Sequence, residues 1–327
     1  MKYLNQFYSN LHGEILKLCH SLKLKPHNFI RGSKLFNNYQ RVAILILYIR
    51  SGKSLRIFCK EFVETKWSFW LQLRKCPKKS TLHDWFKSFS TTFIRKIFEF
   101  TISDLKPKIV AIDGSGIDTQ YQSRYYQKRL DDFGFRKPKS PWHKLDIIVD
   151  IESKEKFILD FSFLLYPRHD SKVAWQLFSR FKFRNVFVLA DKAYWWFKLF
   201  KLLKSQNNIL VVPPKKYKSK IPTHSKAVRT QIKTAFYENE DLYSLRNNVE
   251  GAFSSLKRVQ KLHLRSKLHF MKKREMAWNI VWYNIRKKLS SHIIFIMKII
   301  RLQLIIRSFD KIFANIYKLI NFNNIKY

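Results

Sequence analysis

Five short apolar runs confine what this chain can fold into: IVAI at 109–112, LDIIVDI at 145–151, FILDFSFLL at 157–165, VFVLA at 186–190 and ILVV at 209–212. Each has the length of a single strand. Helical spacing separates the later runs, at about 171–181 and 194–204. Several strands followed by alternating helix and strand predict an α/β fold, a mixed sheet with helices on its faces. Pro213-Pro214 closes the last run, and a basic loop, KKYKSKIPTHSKA, comes after it at 215–227.

The first hundred residues carry no alternating strand pattern. Val42, Leu45, Ile46 and Ile49 have helical apolar spacing instead, and two helix starts are legible. Ser54 precedes LRIFCKEFVE, and Ser80-Thr81 precede LHDWFKSF; a hydroxyl at either place can cap free backbone N–H groups. With Pro77 in a basic turn, KCPKK, between them, these helices suit a helix-turn-helix-like DNA reader, the alternative being a bundle that only positions the next domain. The chain therefore divides into an α-helical region at 1–104, a sheet-bearing region at 105–289 and a basic amphipathic tail at 290–327. A long helical stretch is expected from about 243 to 289.

Charge points to the partner. Lys and Arg number 64 against 23 Asp and Glu, a formal net charge of +41 that calls for an anionic polymer. The excess runs along the whole chain and is interleaved with aromatics, 16% of residues, which can stack on bases. Cys19, Cys59 and Cys76 form neither a disulfide framework nor a zinc cluster, so a reduced, cytoplasmic (nucleoid-associated) setting is expected. No membrane span is expected, because Lys298 and Arg301 interrupt the apolar stretch from Ile293 to Ile306. The seven glycines form neither GxxxxGK[ST] nor GxGxxG, so no nucleotide cofactor is expected.

Two acids follow strands: Asp113 after IVAI and Asp191 after VFVLA, the strand ends where open α/β sheets place ligands. Considered singly, either is an ordinary turn residue. A third partner comes from YSLRNNVEGAFSSLKR at 243–258. On a regular helix at about 100° per residue, Tyr243, Arg246, Glu250 and Lys257 fall in one polar stripe, while Val249, Phe253 and Leu256 supply a core-facing side. A merely solvated helix face can also carry such a mixture. Asp118, Asp146, Asp150, Asp160 and Asp170 lie near strand ends as well, with Asp170 in the phrase PRHDSKV. Trp195 and Trp196 could stack a flipped base, and His143 and His169 read as structural or phosphate-contacting. Gly114 and Gly116 would keep bulk away from the edge that DNA approaches.

The spacing Tyr, two residues, Arg, three residues, Glu, six residues, Lys resembles the signature of the DDE transposases of insertion sequences. IVAIDGSGI and VFVLADKAY, where Lys192 and Tyr194 follow the acid, resemble their first and second acidic motifs; PRHDSKV and STLHDWF are similar to two further family phrases. The resemblance covers about residues 40–290. It implies an RNase H-like catalytic domain in which Asp113, Asp191 and Glu250 are catalytic and hold two Mg²⁺ (or Mn²⁺) ions. Tyr243, Arg246, Lys257 and Lys192 would contact DNA. It implies phosphodiester cleavage at the element's ends and strand transfer into target DNA, with double-stranded DNA as partner and a homodimer in the synaptic complex. A catalytically silent DNA-binding derivative and a generic RNase H-like nuclease are the rival readings. Only 58 residues separate Asp191 from Glu250, too few for the large β-rich insertion of some family members.

Overall fold

A computed structural model describes residues 2–27, 35–117, 143–164, 168–215, 226–260 and 262–290. Asp118, most of the basic loop and nearly all of the tail fall outside them. Six helices come first: α1 (Lys2–Ser21), α2 (Asn38–Ser51), α3 (Leu55–Val63), α4 (Trp67–Trp70), α5 (Lys79–Ser88) and α6 (Thr91–Thr101). Three strands succeed them, β1 (Ile109–Ile117), β2 (His143–Asp150) and β3 (Ile158–Leu164). Then α7 (Asp170–Ser179), β4 (Phe187–Ala190), α8 (Phe197–Ser205) and β5 (Ile209–Val211) alternate. Last come α9 (Lys226–Tyr237), α10 (Glu240–Tyr243), α11 (Asn248–Ser254) and a helix α12 at 269–290.

The sheet has the order β3-β2-β1-β4-β5. β1, β2 and β3 pair antiparallel as a meander, whereas β4 runs parallel to β1, and β5 to β4. Parallel neighbours need a crossover. α7 and α8 supply it, one before β4 and one before β5. This mixed, helix-flanked sheet is an α/β, RNase H-like fold.

Successive residues of a strand point to opposite faces, and the two faces of β1 enter different cores. Ala111 joins one core with α1, α2, α6, α11 and α12; Val110 and Ile112 join the other, with α7 and α8. The first core is continuous from Leu11 and Ile44 through Ala111 and Leu189 to Val249 and Trp278. The N-terminal helices thus share their interior with the sheet. α2 runs through this core and is buried almost all round from Val42 to Ile49; Asn37 starts it with a reciprocal capping box to Gln40.

The β3 edge is covered by side chains. Asn284 of α12, fully buried, accepts a hydrogen bond from Ile158 N at 3.0 Å and donates to Ile158 O at 2.8 Å. Arg95 Nη1 donates to Asp160 Oδ1 at 2.6 Å and Arg180 Nε to Oδ2 at 2.8 Å, and both arginines also donate to Phe161 O. A strand edge so occupied is closed to further pairing.

Two helical expectations change. Ser54 accepts from Ile57 N as a cap should, but α5 begins at Lys79, so Ser80 and Thr81 lie inside its first turn and Lys78 occupies the cap position without a side-chain bond. The stretch from 243 to 289 is not one helix. A 3₁₀ turn (Ser244–Asn247), α11, a π turn (Ser255–Val259) and an irregular segment precede α12.

Candidate active site

β1 is longer than its apolar run because β2 continues to pair with it through Gly114 to Ile117. Asp113 is therefore mid-strand rather than at a strand end. On its other side the pairing with β4 stops at Ile112↔Ala190. One step further, Asp113 and Asp191 stand beside each other where the two parallel strands part. By alternation both project on the face of Ala111 and Leu189, the face covered by α11.

Local backbone donors orient both acids. Asp113 Oδ1 accepts from Gly114 N at 2.8 Å, and Asp191 Oδ1 accepts from Lys192 N at 2.5 Å, where Asp191 caps the 3₁₀ turn Lys192–Tyr194. Burial pushes the Asp113 carboxyl above its ordinary range; the Gly114 N–H and the Arg246 guanidinium oppose this, while Asp191 and Asp170 add to it. Asp191 and Lys192 are exposed.

Arg246 Nη1 lies 3.8 Å from Asp113 Oδ2 and has no hydrogen-bond acceptor among the described residues, although the side chain is only 17% exposed. It faces the carboxylate across a gap too wide for a hydrogen bond. Tyr243 completes this corner: burial raises its phenol, the neighbouring Arg246 lowers it, and both Asp191 and Asp113 act on it. Its ring meets Phe236 of α9 edge-on at 5.4 Å.

Lys257, in the π turn, donates from Nζ to Ser115 Oγ at 2.7 Å. Ser115 lies two residues beyond Asp113, on the same face of β1. The sequence pattern gave no reason to single out Ser115, although its place in DGSG puts it in alternation with the acid. A π turn widens the helix and changes the direction of the residues after it. The four signature residues therefore do not lie on one regular helix stripe; they occupy the end of α10, a 3₁₀ turn, α11 and a π turn.

Glu250 is exposed on α11, while Val249, Ala252 and Phe253 of the same helix are buried against the sheet. Among the described residues, no three His, Cys, Asp or Glu side chains group closely enough to hold a metal ion. Asp113 and Asp191 thus pair at the sheet, with Glu250 on the rim of the helix above them. The pair still fits a hard divalent cation: both donors are carboxylate oxygens, and burial resists the ionised Asp113 that such a cation would favour.

The other candidates have partners within the fold. Lys144 Nζ forms an ion pair with fully buried Asp146, 2.8 Å from Oδ1, and a hydrogen bond with Asp170. Burial pushes the Asp146 carboxyl up to about 6. Asp146 is opposite Gly114 in register, and a Cβ on Gly114 would meet its Oδ1 at 2.5 Å. Gly114 therefore makes room for Asp146 on the far face of β1, rather than clearing the edge beside Asp113. Asp150 accepts backbone N–H bonds from Glu152 and Ser153, His143 is buried against Lys272, and His169 caps α7 by accepting from Ser171 N. Trp195 is buried in the second core and cannot stack a base; Trp196 is partly exposed, with Lys198 over its ring.

The family model of the transposase DDE domain matches residues 104–285, a span that contains every residue of this site. No curated protein matches the chain. Among solved structures, a piggyBac transposase synaptic complex with hairpin DNA aligns with 86% of this chain and 72% of that one, at 12% identity and a TM-score of 0.42.

Proposed function

The chain belongs to the transposase DDE domain family, and on that premise we propose that it cuts phosphodiester bonds at the ends of an insertion sequence and joins those ends to target DNA. The observation that carries this reading is the register of β1 and β4, which sets Asp113 and Asp191 side by side beneath the helix that bears Glu250. When bound, two Mg²⁺ or Mn²⁺ ions held by Asp113, Asp191 and Glu250 would supply the positive charge that in-line displacement at phosphorus requires at the attacking and leaving oxygens.

The chain's own residues place the DNA. Arg246, with an unused Nη1 facing Asp113, binds a phosphate oxygen of the scissile strand and orients it toward that acid. Lys257 neutralises a neighbouring phosphate from its perch on Ser115. Tyr243 donates its hydroxyl to the terminal phosphate, and exposed Lys192 holds the strand beside Asp191. The N-terminal helices and the general basic excess grip double-stranded DNA outside the cut. Joining two ends calls for two copies of the chain, and the setting is the cytoplasm, at the nucleoid.

The test is incubation with supercoiled plasmid carrying the DNA that flanks the gene on both sides. Mg²⁺-dependent nicking at the element's ends, followed by joined end–target products, is the expected result. Nicking without joining would reduce the protein to a nuclease. Binding without any cleavage would identify a silent DNA-binding derivative.

A further inference from the structure

Apolar packing holds α11 on the sheet through Val249, Ala252 and Phe253, but such contacts are non-directional and do not by themselves fix where a short helix stops along its axis. Directional ties do. Two belong to the π turn: Lys257 to Ser115, and Arg286 Nη2 of α12 to Ser255 Oγ at 2.7 Å. A third reaches the start of α11 from the β2–β3 hairpin. Lys156 Nζ donates to Asn248 Oδ1 at 3.0 Å, two residues before Glu250.

The hairpin is built to aim this lysine. Lys156 has φ of 55°, in the left-handed region that L-residues seldom adopt. Its N–H nevertheless donates to Ser153 at 3.2 Å, and its carbonyl accepts from the buried Tyr283 hydroxyl at 2.9 Å. The side chain then lies along α11. A Cβ on Gly251 would come to 3.0 Å from Nζ and 3.7 Å from Cδ, so the helix carries a glycine where the lysine passes. Asn248 and Gly251 are one turn apart on the flank that Lys156 follows, and Glu250 projects from the opposite flank of the same short helix.

We propose that Lys156 is a positioning residue for Glu250: by holding Asn248 and lying against Gly251, it fixes the axial setting of α11 and so the approach of Glu250 to Asp113 and Asp191. This rests on the reading of those three acids as the catalytic set. In this role Lys156 acts through α11 rather than on DNA or the reacting atoms.

The experiment compares Lys156→Met, Lys156→Arg, Asn248→Ala and the Lys156→Met/Asn248→Ala double variant with wild type on the flanking-DNA plasmid, Glu250→Gln serving as reference. Lys156→Met is expected to slow nicking at saturating DNA by about 10- to 100-fold, the cost of a misplaced catalytic group, with unchanged DNA affinity. Lys156→Arg restores most of the rate. Adding Asn248→Ala to Lys156→Met slows nicking no further, because both remove one contact. Hydrogen exchange of amides 248–254 quickens in Lys156→Met while that of β1 and β2 stays unchanged. If Glu250→Gln nicks like wild type, the catalytic reading itself falls. If Glu250→Gln is inactive yet Lys156→Met nicks at full rate, or Lys156→Met loses DNA affinity in step with rate, the positioning role is overturned. Asn248→Ala removes only the acceptor, so it decides the matter should Lys156→Met fail to fold.

Discussion

Lys257 and Ser115, 142 positions apart in sequence, are joined by a 2.7 Å hydrogen bond that ties the π turn to the strand bearing Asp113. Ser115→Ala removes the tether and keeps the charge, whereas Lys257→Ala removes both. Ser115→Ala is therefore expected to slow nicking while leaving the salt dependence of DNA binding unchanged. Lys257→Ala should in addition lower the slope of log K against log[salt] by about one. Binding isotherms at several salt concentrations distinguish the two; equal slopes in wild type and Lys257→Ala would remove Lys257 from the phosphate contacts.

Asp113→Asn keeps shape and removes charge. Nicking should fall below detection while DNA binding persists. Because burial raises the Asp113 pKa, the ionised carboxylate opposes folding at neutral pH, and the sign is fixed: stability is fully present below the unfolded-state pKa and is lost as pH rises through the folded one. The Asn variant should therefore melt at or above the wild-type temperature without divalent ions. Added Mn²⁺ should raise the melting temperature of the wild type and not of the variant. A variant that melts lower, or responds equally to Mn²⁺, contradicts the assignment.

Asp160 serves two arginines from different helices, Arg95 of α6 and Arg180 just past the end of α7. Asp160→Ala would leave both guanidiniums without their anion at the β3 edge. Breaking a buried pair costs about 3–5 kcal/mol, and the partial exposure of both arginines places the loss at the low end. Chemical denaturation would measure it; a loss below about 1 kcal/mol would class the pair with ordinary surface bridges.

Asn284→Leu keeps the side chain's bulk and strips Ile158 of both its edge partners. Two buried backbone groups without partners should cost about 2–6 kcal/mol, seen in the same denaturation experiment. The variant should also gain a tendency to aggregate through the uncovered strand. Unchanged stability would mean that water satisfies Ile158 as well as Asn284 does.

The five strands were legible because each apolar run is strand-length and bounded by polar or turn residues; a paired strand falls on each of the five runs, β2 to β5 stopping one residue short of a run's end and β1 alone extending well past its run. Asp113 and Asp191 were legible as a pair for the same reason. What sequence could not supply was phase. A helical wheel assumes one uniform repeat, and the chain from Tyr243 to Lys257 passes through a tight 3₁₀ turn and a wide π turn, so its residues reach the sheet by a different path from the one the wheel draws. Nor could local pattern expose Lys156 or Asn284. Their partners lie 92 and 126 positions away, and each is a single polar residue in a segment otherwise read for its apolar content.

The continuous core that runs from Leu11 to Trp278 has a mechanical consequence. Helices that share an interior with the sheet are not a hand on a flexible wrist; they and Asp113 belong to one solid piece. If the helices grip the duplex as proposed, it would be held at a set distance from the acids; the protein would then work as a gauge, the length of DNA between grip and cut being written in side-chain packing rather than in the length of a linker.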